Sequence, residues 1–249
     1  MTGKLWEVKP QSIVYLFSGG KDSALALLKT RDVVKQYAEQ TKARVYIVHI
    51  TIPGNTHPLN VYAAAAVMYW HQKHYGFEPV FLARNKVFQG YMARYGLQIG
   101  STRWCYIEFK ARVLREFESR LPKPVLEIDG MKRSDSRQRE AMLSDEIELV
   151  ERSNGFRFYA WHPLINYGGD PLEELRKHPE FSPVVELYEK FDDSLNCVVC
   201  PYKSRLKYAR YTNIETLQPI IAFVNTVMHS KHFLKLFNSF KIRPLVSRV

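Results

Sequence analysis

The chain has 249 residues, of which 46% are hydrophobic, 24% charged and 13% aromatic. This composition excludes an intrinsically disordered protein and is sufficient for one α/β domain with appendages. The net charge of +11, from 36 Lys and Arg against 25 Asp and Glu, suits an anionic partner such as a nucleotide or a nucleic acid.

Two further features bear on the cellular setting. No apolar stretch is long enough to span a bilayer, and residues 1–11 lack the apolar core of a signal peptide. Three cysteines do not make a disulfide framework. We therefore expect a cytoplasmic protein without a membrane partner.

The first half of the chain alternates between predicted strands and helices. Apolar runs at residues 12–17, 44–50 and 79–83 predict strands. Residues 23–29 and 60–74 predict helices, the second capped by Gly76.

The second half continues the alternation. Residues 107–121 predict an amphipathic helix, and residues 124–128 and 156–161 predict strands. Asp170 followed by Pro171 predicts a helix start. The pattern predicts an α/β fold with a doubly wound, mostly parallel sheet and helices on both faces. We divide the chain into an α/β domain, residues 1–202, and a basic helical C-terminal extension, residues 203–249.

A glycine turn between the first predicted strand and helix has the composition of a phosphate site. It reads Ser18, Gly19, Gly20, Lys21, Asp22, Ser23. Glycines allow close backbone approach to a phosphate, while backbone amides, two hydroxyls and the lysine supply donors and charge. The spacing differs from the Walker loop. The turn therefore predicts phosphate binding, and the competing interpretation is a simple connection.

The same string resembles the PP-loop of the adenine-nucleotide alpha-hydrolase superfamily. Later segments, in order, resemble the family of phosphoadenosine-phosphosulfate (PAPS) reductases. They are Gly54 to Pro58, Arg103-Trp104-Cys105 with Lys110, Gly130 to Arg139, His162-Pro163-Leu164, and Cys197-Val198-Val199-Cys200-Pro201. The first lacks the Asp and Glu of the family's turn, since Ile52 and Pro53 precede Gly54 and Leu59 follows Pro58. The resemblance covers residues 12–210 and implies the fold and a bound adenine nucleotide.

The resemblance also implies roles for side chains outside the loop. Gly54, Asn55 and Thr56 are expected beside the nucleotide, and Arg103 and Lys110 beside a substrate anion. A basic segment follows a predicted strand and contains Lys132, Arg133, Arg137 and Arg139. Since guanidinium forks match phosphate or sulfate oxygens, this segment is a candidate anion clamp, with a solvated surface as the alternative.

The three cysteines are candidate metal ligands. Cys197 and Cys200 have ligand spacing, and Cys105 occupies a region where iron–sulfur members of the resembled family carry a cysteine pair. Three thiolates favour a 4Fe-4S cluster with one open iron. Zinc completed by His162 and the absence of a metal stay open as alternatives.

The chain lacks the cysteine of the C-terminal tail that the resembled reductases use as nucleophile, since no cysteine follows Cys200. We therefore favour ATP-dependent adenylation with pyrophosphate release, linked to sulfur transfer. Lys21 would stabilise phosphate charge, and Asp22 would help to place Mg²⁺. Sulfonucleotide reduction of PAPS or APS, with Cys105 as nucleophile, and non-catalytic nucleotide or nucleic-acid binding are the alternatives. A tRNA or other nucleic acid and a sulfur-donor protein remain open as partners.

Overall fold

The computed structural model describes residues 2–96, 103–152 and 155–200. They form an α/β fold around one six-stranded sheet with the strand order β3-β2-β1-β4-β6-β5. The strands are β1 (Ser12–Leu16), β2 (Arg44–Thr51), β3 (Glu78–Ala83), β4 (Val125–Ile128), β5 (Ile147–Glu151) and β6 (Arg157–Trp161). The helices are α1 (Thr2–Val8), α2 (Lys21–Thr41), α3 (Pro58–Tyr75), α4 (Phe88–Tyr95), α5 (Trp104–Tyr106), α6 (Arg112–Glu118), α7 (Arg137–Met142), α8 (Pro171–Leu175) and α9 (Ser182–Phe191).

The sheet is parallel except at one edge, as the strand–helix alternation predicts. In the centre, Tyr15 of β1 lies in register with Ile47 of β2 and Ile128 of β4. The carboxyl ends of these strands therefore meet at one edge, where α/β proteins place their ligands. β5 pairs antiparallel with β6 at the outer edge, and the sequence pattern did not predict it.

Helices cover both faces of the sheet, which confirms the predicted layers. On one face, the buried Val34 of α2, Val67 of α3 and Val184 of α9 share a core with Tyr15 and Ile47. On the other face, α6 packs against β1, β2, β4 and β6 through a separate core. The two cores hold the strand ends that carry the candidate site in fixed positions.

Several helix limits differ from the prediction. The helix predicted at residues 23–29 spans Lys21–Thr41 and ends at Lys42 in a left-handed conformation. The helix predicted at 107–121 is replaced by α5, a π-helical turn at Ile107–Ala111 and α6, because the wider turn interrupts the regular α-helical bonding. The predicted caps at Gly76 and Asp170 are confirmed.

Two other sequence expectations concern the chain as a whole. None of the helices within the described residues is long and apolar enough to cross a membrane. The extension predicted at residues 203–249 lies outside the described residues.

Candidate functional site

The phosphate loop, residues 18–23, joins the carboxyl end of β1 to the first turn of α2. Gly19 has a φ of +71°, a conformation that glycine adopts without steric cost. The Ser18 and Ser23 hydroxyls lie 3.1 Å apart, and Ser23 Oγ donates to the Gly20 carbonyl at 2.9 Å. These bonds fix the shape of the loop before any ligand arrives.

The N-terminus of α2 has few partners within the protein. Gly20, at its N-cap, provides no side-chain hydrogen bond. Among the described residues, the Lys21 amide contacts the Tyr188 hydroxyl at 3.3 Å, and the amides of Asp22 and Ser23 have no side-chain acceptor. A helix of 21 residues therefore presents amides and the positive end of its dipole at the carboxyl edge of the sheet. This arrangement suits an anion.

Two lysines bring positive charge to the same turn. Lys21 Nζ lies 3.1 Å and Lys132 Nζ 2.6 Å from the Asp22 carboxylate. Lys132 is placed by Gly130, where an added Cβ would lie 2.5 Å from the Asp22 backbone. The absence of a side chain at Gly130 thus allows the basic segment to pack directly on the loop.

The other basic side chains of this segment have different positions. The Arg133 guanidinium donates to the carbonyls of Leu143 and Ser144 and to the Asn166 side chain, so it is occupied within the protein. Arg139 pairs with Asp135. Of the four predicted anion-binding residues, only Lys132 is bonded to the phosphate loop.

The remaining residue of that set, Arg137, is the exposed first residue of α7. Arg103, predicted at the substrate anion, is exposed and precedes α5. Its carbonyl accepts from the Tyr106 and Ile107 amides, so its backbone starts the helical segment. Among the described residues, no hydrogen bond or salt bridge joins the Arg137 side chain to the loop, and the role of Arg103 stays a prediction.

A cavity of about 130 Å³ lies beside the phosphate loop. It is closed by apolar side chains of β1, β2 and α6, namely Leu16, Val48, Ile50 and Leu114. At its polar end, Lys110 Nζ donates to Asn196 Oδ1 at 2.9 Å. Lys110 belongs to the π-helical turn, whose altered bonding sets the direction of the side chains around it. An apolar slot with a few polar groups is the usual form of a small-molecule pocket.

Two buried asparagines connect this cavity to the phosphate loop. Asn196 Nδ2 donates to Asn60 Oδ1 at 3.2 Å, and Asn60 Nδ2 donates to the Ser18 carbonyl at 3.2 Å. Asn60 is fully buried, and Asn196 is 5% exposed. Because buried amides without partners are costly, this chain fixes the position of Ser18 relative to Lys110.

The turn at residues 54–56, expected beside the nucleotide, makes several bonds within the protein. Asn55 is 1% exposed, accepts from the Val199 amide at 2.6 Å and donates to the Val199 carbonyl at 3.2 Å. Thr56 Oγ1 donates to the Asn196 carbonyl at 2.8 Å. The Gly54 carbonyl accepts a bond from the Gln89 side chain of α4 at 2.7 Å. Asn55 and Thr56 thus hold the cysteine turn, residues 196–200, and the contact of residues 54–56 with a nucleotide stays a prediction.

The three cysteines lie close enough to influence one another. Burial, followed by the nearby Cys197 and Cys200, raises the pKa of Cys105 to about 11. Burial therefore disfavours the Cys105 thiolate, the form in which a cysteine acts as nucleophile, and the role of Cys105 stays a prediction. Within residues 2–96, 103–152 and 155–200, no group of three His, Cys, Asp or Glu side chains is arranged to hold a metal ion. The described residues thus show no metal site, and the cluster and the zinc site stay predictions.

His162, the guessed fourth zinc ligand, is engaged elsewhere. Its Nδ1 lies 2.9 Å from Asp129 and its Nε2 3.3 Å from Glu148. Burial disfavours the charged imidazole, but the hydrogen bonds and charges of both carboxylates outweigh it and raise the pKa of His162. Both ring nitrogens are occupied, so His162 is not available as a zinc ligand.

Sequence reasoning missed three residues of this region. Asn60, Asn196 and Tyr188 contact the loop or its supports, and burial raises the pKa of Tyr188 to about 12. The sequence offered a signal only for Asn60, an amide just before the Ala-rich run of the predicted helix. Nothing in the sequence alone distinguishes Tyr188 from other aromatic residues of an amphipathic helix.

Comparison with known proteins finds similar solved structures. The chain is similar to Candida glabrata FMN adenylyltransferase, in complex with FMN and an ATP analog, at 15% identity and a TM-score of 0.40, over 73% of this chain and 48% of that one. It is also similar to PAPS reductase from Candida auris, in a phosphate complex, at 14% identity and a TM-score of 0.39, over 66% and 71%. The chain thus spans about half the length of the adenylyltransferase. No family model and no curated protein sequence matches it.

Proposed function

We propose that this protein binds an adenine nucleotide at the carboxyl edge of its sheet and transfers the adenylyl group to an acceptor, releasing pyrophosphate. The observation that carries the proposal is the N-terminus of α2. Its amides at Asp22 and Ser23 have no side-chain acceptor among the described residues, and Lys21 and Lys132 flank them. Amides, helix dipole and two ammonium groups together form a site for phosphate oxygens.

The charge arrangement supports a polyphosphate. The Asp22 carboxylate pairs with the ammonium groups of both Lys21 and Lys132, and the Asp22 side chain is 32% exposed. Phosphates at the helix terminus would recruit these ammonium groups, and the Asp22 carboxylate would then be able to help hold Mg²⁺, whose usual ligands include one carboxylate and phosphate oxygens. Mg²⁺ would neutralise part of the negative charge on the phosphates.

The neighbouring cavity suits the base. Its walls of Leu16, Val48 and Leu114 would pack on a flat heteroaromatic ring, while Lys110 and Asn196 offer polar groups at one end. Because Asn60 ties Asn196 to Ser18, the base and phosphate subsites are held at a fixed separation.

The proposed reaction is a displacement at the α-phosphate. An acceptor oxygen forms a bond to this phosphorus, the bond to the bridging oxygen of pyrophosphate breaks, and the acceptor proton leaves to solvent. Lys21 and the loop amides would stabilise charge developing on the phosphate oxygens. A sulfur nucleophile, brought by a sulfur-donor protein, would then displace AMP from the adenylated acceptor. The neutral Cys105 thiol gives no support to the alternative in which this residue attacks a sulfonate.

The test is titration calorimetry with ATP, AMP and PAPS on the full chain. We expect Lys21→Ala and Lys132→Gln each to weaken ATP binding by about tenfold or more, since a charged contact is worth about 1.5–3 kcal/mol. Lys177→Gln is the matched control, because Lys177 pairs with Glu174 on α8, away from the loop. We expect it to bind ATP like the unsubstituted chain.

A pyrophosphate-release assay with ATP, Mg²⁺ and candidate acceptors tests the reaction itself. If Lys21→Ala and Lys132→Gln both left the affinity for ATP unchanged, the proposed nucleotide site would be wrong. If the protein bound PAPS tightly, released sulfite from it and did not bind ATP, reduction would replace adenylation as the proposed reaction.

A further inference from the structure

The amino edge of the sheet, opposite the phosphate loop, carries a second cationic feature. A cavity of about 560 Å³ opens where β1 and β2 begin and where Pro122 leads toward β4. Its lining includes the cations Lys9, Lys42 and Arg44 and no carboxylate. All three are exposed, so the cavity presents positive charge to solvent, and Glu78 of the adjoining cavity compensates part of the Arg44 charge.

No salt bridge between described residues involves Lys9, Lys42 or Arg44. Arg44 bonds to Tyr46 and lies within the field of Glu78. Three exposed cations around one concave surface favour an anionic ligand.

Backbone conformation adds an independent observation. Lys9 and Lys42 have φ values of +48° and +63°, in the left-handed region that lysine rarely adopts. Both stand just after a helix, at a position where glycine is usual and would be less strained. The backbone at positions 9 and 42 thus favours glycine, but the chain has lysine at both. Glycine would fit the backbone better but would not carry the positive charge.

The shape and rim of the cavity indicate a chain-like ligand. A second cavity of about 510 Å³ shares the lining residues Lys42, Ala43 and Arg44 with the first, so the two cavities adjoin on the surface and together are called the groove. Trp6 is 37% exposed on the rim and stands edge-on to Tyr37 at 4.9 Å. Proteins that bind single-stranded nucleic acid combine exposed aromatic rings, on which bases stack, with a basic groove, whose cations contact the phosphates.

We propose that this groove, lined by Trp6, Lys9, Lys42 and Arg44, binds a single-stranded nucleic acid. Phosphates lie on the three cations, and a base stacks on Trp6. The second cavity also contains Glu39 and Glu78, so the strongest phosphate contacts are in the first. The groove begins at the amino ends of the strands and is therefore separate from the proposed nucleotide site.

The test uses the full chain and a fluorescein-labelled 12-mer of oligo-dT or oligo-U in anisotropy titrations. The double variant Lys9→Gly/Lys42→Gly removes two charges and relieves the left-handed backbone, so it should fold at least as well as the parent. We expect about tenfold weaker binding, and a slope of log K against log salt that is smaller by about 1.4, since each single-strand phosphate contact contributes roughly 0.7.

The control variant is Lys86→Gln/Lys190→Gln. It removes two exposed charges that line neither cavity, and it should bind like the parent. In addition, quenching of tryptophan fluorescence by the oligonucleotide should be reduced in Trp6→Phe. Equal affinities and salt slopes of the two double variants would overturn the proposal, as would unchanged quenching in Trp6→Phe. Lys21→Ala should leave oligonucleotide binding intact, so failure at one site is distinguishable from failure at the other.

Discussion

The phosphate loop and the cysteine turn contain similar polar residues but use them in opposite ways. At residues 18–23, serine and glycine fix the backbone while the Asp22 and Ser23 amides have no side-chain acceptor among the described residues. At residues 54–56 and 196–200, Asn55 and Thr56 bond to the opposing backbone. A binding site requires polar groups whose bonding capacity is not already used within the protein. By this criterion, the first region suits the proposed nucleotide site, and the second region supports the structure around it.

The largest expected effect tests whether the cysteine turn is only a support. With a pKa of about 11 against an ordinary 9.0, Cys105 should carry about a hundredfold less thiolate near pH 7.5, and iodoacetamide should alkylate it more slowly than an ordinary thiol. Mass spectrometry of the Cys105 peptide measures the rate, and the urea-unfolded chain provides the reference. If Cys105 were alkylated as fast in the folded chain as in the unfolded chain, it would be a strong candidate for the nucleophile.

The next effect concerns Asn55. Asn55→Ala removes both side-chain hydrogen bonds to the buried backbone of Val199, so we expect the free energy of unfolding to fall by about 3 kcal/mol. Urea denaturation measures the loss. Asn85→Ala, at an exposed asparagine after β3, is the control and should change little. If Asn55→Ala kept full stability and lost ATP binding, the residue would belong to the ligand site after all.

These two regions also show what the sequence can predict. The Ser18–Ser23 string lies between a strand and a helix that hydrophobic pattern alone predicts, so the position of the loop followed from local information. The bonding of Asn55 and Thr56 depends on a turn about 140 residues away in the chain, as the separation of 144 between Asn55 and Val199 shows. No local pattern records such a pairing.

The same limit explains the basic segment and the edge strand. Lys132 and Arg133 are adjacent and both cationic, yet one reaches Asp22 and the other the backbone at Leu143 and Ser144. Their difference arises from the direction of the chain after Gly130, which is set by packing on α2. β5 was not predicted because its burial results from antiparallel pairing with β6. This pairing is defined only by the folded topology.

A smaller effect separates glycines that shape a site from glycines that end a helix. Gly19 and Gly76 have φ values of +71° and +73°, so alanine should cost about 1 kcal/mol of stability at either position. At Gly76 an added Cβ meets nothing within 4 Å, whereas at Gly19 it would lie 2.6 Å from Asn60 Nδ2. We expect only Gly19→Ala to weaken ATP binding, by about tenfold, or about 1.4 kcal/mol.

Calorimetry on both variants makes the comparison. Equal ATP affinities would mean that the Asn60 bond to Ser18 does not position the loop, and the proposed link between the base and phosphate subsites would fail.

The smallest effect is the pH dependence contributed by His162, a further residue whose polar atoms are used within the protein. Asp129 and Glu148 hold its pKa above the ordinary value, so the folded state binds the imidazolium proton more tightly than the unfolded chain does. The resulting stabilisation is complete below the unfolded pKa of about 6.5 and is lost as the pH rises through the folded pKa. His162→Gln should therefore flatten the decline in the free energy of unfolding above pH 6.5. Urea denaturation of the parent and the variant at a series of pH values measures this decline. A decline that survives in His162→Gln would show that the carboxylates do not hold a charged imidazole, and His162 would again be available to bind a metal as a neutral ligand.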